Sequence, residues 1–313
     1  MRKVLKLLFL VLSLSASGCV VGQYDDCIQT KKENVTVRFS VKDHANNQLL
    51  HSVIENISLF FYDLDGKQVT RSTVSKNDLK SFSGTHLQLE PGTYTVVAWA
   101  NHTSTYSKFF VNEGRPYFER ASNYLLNAVA VNGVVETSDS LYYAPKEKGM
   151  PLMVVVPKKG NVEVTPEFRN AHIKLDVTVE GYSDVSTRAV DPLTIELTDI
   201  TSRYSFGMEA HGDKVSYTRL TSNIDKDKNM FRAIFNIPVF NGNTTTHLRV
   251  ISSAGRLIIN PISLKELLGD KVVIDEILHL PIKIKFTEEN GLLQAVVIVD
   301  LPEWLDNEVK PNI

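Results

Sequence analysis

The side chains best able to do chemistry in this 313-residue chain are two cysteines, Cys19 and Cys27, and eight histidines: His44, His51, His86, His102, His172, His211, His247 and His279. The histidines stand singly, with no second ligand at helical or hairpin spacing, so they build no zinc motif and each is expected at the surface or rim. There is no Gly-x-Ser-x-Gly elbow, no phosphate-binding glycine loop and no dinucleotide fingerprint after a strand. Asp63-Leu64-Asp65-Gly66 opens like a calcium loop, but the position that should carry a bidentate Glu is Val74. An Asp-Gly step between apolar runs reads instead as a hairpin turn, because glycine accepts a positive φ at no steric cost. Paired carboxylates for acid/base work would have to converge in space, which strand sequences do not reveal. The Asn-x-Ser/Thr triplets at Asn34, Asn56, Asn101 and Asn243 read as turn composition. What remains is the thiol of Cys19.

Its setting is specific. Arg2, Lys3 and Lys6 form a positive start, Leu7 to Leu14 is apolar apart from Ser13, and Ser15-Ala16-Ser17-Gly18 leads into Cys19. That is the layout of an export signal, and its apolar run is far short of the ~20 residues that span a bilayer. A cysteine ending the small-residue run resembles the lipobox of bacterial lipoproteins, with Ala16 where that class usually has Leu. The resemblance implies cleavage between Gly18 and Cys19 and acyl chains on Cys19. Each buried methylene contributes about 0.8 kcal/mol, and stable anchoring takes more than one chain. Residues 1–18 are thus expected to be an address, with no later run of about 18 apolar residues to cross a membrane.

Without residues 1–18 the chain keeps 295 residues, enough for two domains of about 150 each. The signal holds three of the 34 basic residues and none of the 36 acidic ones, so the remainder carries 31 − 36 = −5. Nothing here makes the basic stripe that nucleic acid requires. With Cys19 acylated, Cys27 has no intramolecular partner and is left as a free thiol, an intermolecular bridge or a plain structural residue, so an apolar core and not disulfides must hold the fold.

Residues 19–33 are mostly polar and without period, a tether. Val35, Val37, Phe39 and Val41 then alternate with polar residues, a half-buried strand. Ile54 to Tyr62, Leu87 to Leu89 and Tyr94 to Ala100 read as further strands, and Tyr142-Tyr143 and Met150 to Val156, with prolines at 151 and 157, close the first half. Tyr124 to Val131 fits a strand or a short helix. The stretch 157–167, with two prolines, a glycine and exposed charge, reads as a junction between a first domain over 34–160 and a second over 161–313. Beyond it, Phe168 to Val179, Leu193 to Leu197, Phe231 to Val239, His247 to Ile251, Ile277 to Phe286 and Leu292 to Leu301 are strands. Ser263 with Glu266 makes a capping box ahead of Leu264, Leu267 and Leu268, a short helix stopped by Gly269. Short strands spaced by Gly, Pro and Asn turns predict an all-β protein of two tandem β-sandwiches with one or two short helices.

Several stretches together resemble one family. They are "YDDC" over Tyr24–Cys27, "LFFYDLDGK" over Leu59–Lys67, "LEPGTYTVVAWAN" over Leu89–Asn101, "LYYA" over Leu141–Ala144 and "FRNAHIKLDVTVEG" over Phe168–Gly181. With Cys19, they make the chain similar to the anchor subunits of Bacteroidetes-type fimbriae, while Tyr182 to Asn260 carries no matching motif. The resemblance implies tandem transthyretin-like sandwiches and a lipid-anchored, non-enzymatic base subunit at the outer membrane and cell surface. Its partners would be a fimbrial shaft subunit and the membrane itself. It implies no cofactor beyond the acyl chains on Cys19 and no small-molecule substrate.

Shaft subunits of such fimbriae are cut after an arginine, losing a first strand, whereas anchors keep theirs. Between Cys19 and Val37 there is no arginine, and the first, Arg38, sits inside the opening strand. Contact by strand addition would use the C-terminal stretch, with Leu293, Val297 and Val299, or their neighbours Val296 and Ile298, as pocket-fillers. The alternative for Leu292 to Leu301 is an ordinary internal strand. Rival functions are a surface lipoprotein adhesin or fimbrial tip that binds glycan or host protein, and an exported hydrolase whose carboxylates or histidines meet in a pocket.

Overall fold

The computed structural model describes residues 33–42, 46–119, 123–126, 130, 135–144, 152–182, 191–239, 245–268, 279–289 and 292–299. The alternation after Asn34 becomes β1 (Val35–Arg38) and β2 (Ser40–Val41), and a four-residue helix, α1 (Leu50–Val53), leads to β3 (Asn56–Tyr62) and β4 (Gln68–Ser75). Gly66 closes the β3–β4 hairpin at φ 80, its N–H donating to the Asp63 carbonyl at 3.0 Å, as an Asp-Gly turn requires. Next come α2 (Lys76–Ser81), β5 (Gly84–Leu87) and β6 (Gly92–Ala100), which begins two residues before the expected Tyr94.

β7 (Lys108–Phe110), β8 (Tyr124–Leu126), β9 (Tyr142–Tyr143), β10 (Met153–Val156), β11 (Val162–Val164) and β12 (Glu167–Asn170) follow. Two sheets form from these: β11-β1-β5, and β2-β12-β9-β6-β3-β4 with β10 also on β6. Between them lies a core built on Val35, Val37, Phe39, Ile57, Leu59, Phe61, Val96 and Ala98.

The remaining strands are β13 (His172–Glu180), β14 (Thr194–Ser205), β15 (Ala210–Leu220), β16 (Ser222–Asp225), β17 (Met230–Pro238), β18 (His247–Ile251), β19 (Ile262–Ser263), β20 (His279–Glu289) and β21 (Leu292–Val299), with α3 (Leu264–Leu268) before β20. They make a sheet β16-β17-β13-β20-β21 and a second one, β19-β18-β14-β8-β7 with β15 on β14. Their core holds Ile173, Leu175, Val177 and Val179 from β13 facing Ile195, Leu197 and Val250.

β3 and β6 differ from their neighbours. Phe60, Tyr62, Val97 and Trp99 alternate with the residues of the first core, yet they are also buried, in a third cluster with Leu125, Leu141, Ala171, Tyr204 and Phe206. Both strands are therefore covered on both faces, which is why they read as near-continuous apolar runs. The cover is aromatic: Phe60 meets Phe206 at 5.1 Å and the edge of Phe109 at 5.5 Å between ring centroids. Tyr204 places its hydroxyl in this layer and donates to the Val239 carbonyl at 2.6 Å.

The expected boundary at 160/161 separates β10 from β11, but pairing runs across it in both directions. β11 pairs in parallel with β1, and β12 with β2, although both follow residue 160. β7 and β8 precede it and extend the second half through β8–β14 pairing. The stretch expected to be a junction holds strand because Val162 and Val164 can fill places beside Val35 and Val37. There are three short helices among the described residues against the one or two expected. At α2 the signal is a capping box, Ser75 with Asp78 at the third position, using Asp where Glu is usual. α1 has no side-chain cap, and Leu50, buried in the first core, holds it instead. Ser263 does cap α3, its Oγ accepting from the Glu266 N–H at 3.3 Å.

Truncating Trp99, 1% exposed, to alanine is expected to cost about 3–5 kcal/mol in chemical unfolding and to loosen both halves together. Loss of cooperativity confined to one half would show that the aromatic layer does not join them.

Candidate strand-docking interface

The two terminal strands of the described chain are in opposite states. β1 is bonded on both sides, in parallel to β11 and antiparallel to β5, with Val37 and Thr36 in register with Val164 and Glu163 on one side and Thr85 and His86 on the other. Asn34 secures its start. Its side chain donates to the Leu89 carbonyl at 2.8 Å and accepts from the Leu89 N–H at 3.0 Å, its own N–H reaches the Leu87 carbonyl, and its carbonyl takes the Val162 N–H. β5 approaches so closely that a Cβ on Gly84 would lie 2.1 Å from the Val37 carbonyl oxygen, which explains the glycine.

Arg38 ends β1. Its side chain, 48% exposed, lies over the Phe82 ring at 4.8 Å and pairs with Glu163 at 3.0 Å. The side chain is thus reachable, while its peptide is held opposite Gly84 in the ladder.

β21 closes its sheet as the outermost strand. It pairs antiparallel with β20 from Ile282↔Val299 to Glu289↔Leu292 without a register shift. Val297 and Val299, with Ala295, pack on the second core, whereas Val296 and Ile298 point outward at 52% and 43% exposure. Leu293 lies on β21 with its side chain outside the description. Gly18 and Cys19 lie outside the described residues. The structure therefore places β21 in its own sheet, at an edge.

The outer face beside β21 is polar and paired. Asp176 on β13 is 5% exposed, yet it takes the Arg232 guanidinium in two hydrogen bonds, Nε at 2.7 Å and a terminal nitrogen at 2.5 Å, with the His279 ring at 3.2 Å. The Arg232 hydrogen bonds hold its carboxyl below the usual range, against burial that pushes it up, and the His279 hydrogen bond adds to the lowering. Lys283 on β20 pairs with Glu180 at 2.6 Å.

His172 departs from the surface position expected of the histidines. It is 9% exposed, its Nδ1 lies 3.0 Å from the Leu141 carbonyl, and burial pushes its pKa down. The cause is its place at the start of β13, where Tyr142 packs edge-on against the ring at 5.5 Å. Among the described residues no three His, Cys, Asp or Glu side chains come together in a way that could hold a metal ion.

A family model for fimbrillin-A associated anchor proteins Mfa1 and Mfa2 matches residues 24–307. The chain belongs to this family. No curated protein matches it significantly. Among solved structures it is similar to the fimbrial anchor protein Mfa2 from Porphyromonas gingivalis, at TM-score 0.66 and 17% identity over 85% of this chain and 96% of that one. It is also similar to a candidate adhesin from Bacteroides ovatus, at TM-score 0.67 and 14% identity over 85% and 92%. A candidate polysaccharide-binding protein from Bacteroides thetaiotaomicron gives TM-score 0.65 and 12% identity over 86% and 96%. At these identities the likeness is one of fold. Family membership makes the chain a structural, fimbrial anchor-type protein of the cell envelope, and no described helix is long and apolar enough to cross a membrane.

Two outcomes follow from the geometry. An Arg-specific endoprotease is expected to leave the Arg38–Phe39 bond of the native protein intact, because cleavage needs an unpaired extended backbone. Gly84→Val, which forces β5 off β1, is expected to expose it, with N-terminal sequencing as the readout. Asp176, whose pKa falls on folding, stabilises the fold above its unfolded value of about 3.9 and loses that contribution as pH drops through the lower folded value. Asp176→Asn is expected to cost about 1–3 kcal/mol at neutral pH and to flatten the acid limb of stability measured by urea unfolding.

Proposed function

We propose that the chain is the lipid-anchored base subunit that attaches a fimbrium to the outer membrane and ends the polymer there through strand-addition contacts with a shaft subunit. The observation that carries this reading is the locked β1. A subunit built to exchange its first strand must release it, and here four hydrogen bonds at Asn34, two neighbouring strands and the buried Val35 and Val37 retain it.

Retention also gives the tether somewhere to end. Acyl chains on Cys19 would hold the chain at the cell surface, and residues 19–33 would run from them into a strand bonded on both sides. A pull on the filament would then load the β1 ladder along its length, where several hydrogen bonds share it. The role needs no catalytic group, metal or small-molecule substrate, only stiffness and a docking edge.

Cys19→Ala is expected to release fimbriae into the medium while the protein still folds, and mass spectrometry of the native form is expected to find acylated Cys19 at the N-terminus. Normally attached fimbriae in that strain, or a native N-terminus beyond residue 19 without acyl groups, would overturn the proposal.

A further inference from the structure

The start of β1 and three turns of the first sandwich meet at one end of the molecule. Asn34 bonds to Leu89 through its side chain and gives its carbonyl to the Val162 N–H. From Leu89 the chain crosses to Gly92, which lies opposite Val156 on β10, so the turn that carries Lys158 and Lys159 between β10 and β11 stands beside Asn34. Tyr62 lies opposite Thr95, near the start of the same strand β6, and this brings the turn from Asp63 to Lys67 to the same end.

That end is apolar where it meets water. Leu64 and Val155, at 71% and 65%, are the most exposed large apolar side chains among the described residues. Phe118, at 60%, packs against the Leu64 turn, where a Cβ on Gly66 would lie 2.9 Å from its ring. The loop carrying Phe118 is firmly held. Tyr117 donates its N–H to the Gly66 carbonyl at 2.8 Å and stacks its ring 4.9 Å from that of Tyr62. The buried Asn123 donates to the Pro116 carbonyl at 2.7 Å and accepts from the Asn112 N–H at 2.9 Å. Lys67, Lys158 and Lys159 are exposed here and offset Asp63, Asp65 and Glu90. In a chain that carries a net negative charge from residue 19 onward, such a balanced end can approach an anionic surface.

We infer that this end of the first sandwich rests on the lipid surface, with Leu64 and Phe118 set into the boundary between headgroups and acyl chains, and Lys67, Lys158 and Lys159 reaching headgroup phosphates. The inference rests on the lipid-anchor reading above and adds to the acyl chains a contact made by the folded chain itself. The occupant follows from where the tether ends. Residues 19–33 enter the fold at Asn34, and fully extended they reach at most about 50 Å, so acyl chains on Cys19 would hold this end closest to the bilayer. A second copy or another subunit would have to share the site with that bilayer. A few apolar tips flanked by lysines that keep their charges in water make a weak interfacial contact on their own. Once the acyl chains confine the protein to the surface, the contact is intramolecular and a weak affinity is enough to orient the molecule.

The first test uses the full chain from residue 19 with Cys19→Ala, which carries no lipid, sedimented with phosphatidylcholine vesicles. Weak binding is expected, and Leu64→Asp with Phe118→Asp, both at exposed positions, is expected to reduce it about tenfold, the effect of about 1.4 kcal/mol, with the melting temperature unchanged. No vesicle binding, or binding that the two aspartates leave unaltered, would overturn the inference. A dimer that the same aspartates dissociate would assign this end to a second copy and overturn it as well.

The second test places the acylated full-length protein in vesicles that contain brominated lipid. The fluorescence added by Phe118→Trp is expected to shift to the blue and to be quenched. That added by Leu220→Trp, at a 63% exposed position at the end of β14 away from β8, is expected to do neither. Equal quenching at both positions, or none at Phe118→Trp, would sink the idea. Absence of acyl groups on native Cys19 would remove the anchor reading, and the vesicle binding of the unlipidated chain would still report on this surface separately.

Discussion

The structure depends on two adjacent strands, β3 and β6, being buried on both faces. One face of this pair, through Ile57, Leu59, Phe61, Val96 and Ala98, completes the first core. The other, through Phe60, Tyr62, Val97 and Trp99, must be kept from water by something outside the first half, and the second half supplies Leu125, Tyr204 and Phe206. Aromatic rings bury large areas and prefer offset or edge contacts, so such a layer fixes relative orientation as well as contributing free energy. The crossing of β7 and β8 to β14, and of β11 and β12 to β1 and β2, adds main-chain ladders to the same junction. Two sandwiches joined in this way have little freedom to hinge.

Electrostatics has a smaller part. The surface ion pairs at Arg38, Arg219 and Lys228 are exposed and of the kind that contributes little. Asp176 is the exception, a carboxylate sealed against a sheet face by Arg232 and His279. It holds β13, β17 and β20 in register at the centre of the sheet that ends in β21.

The two termini of the described fold obey one rule with opposite outcomes. A strand bonded on both sides is costly to remove, and a strand bonded on one side still has a ladder to offer. β1 is the first case and β21 the second.

Much of this was legible in the residues themselves. A period of two marks a half-buried strand whatever it pairs with, so β1 and β13 stood out, and Asp65-Gly66 and the Ser263–Glu266 cap announced a turn and a helix through local chemistry alone. The Asn34 clamp, the burial of His172 and Asp176, and the placement of β11 and β12 were not legible, since each depends on partners dozens of residues away. Likewise "LLQAVVIV" states that a strand forms, but whether it lies inside a sheet or at its rim is decided by how many neighbours the folded chain brings to it. Periodicity encodes which side of a strand meets a core; only the tertiary structure decides whose core it is and which edge is left open.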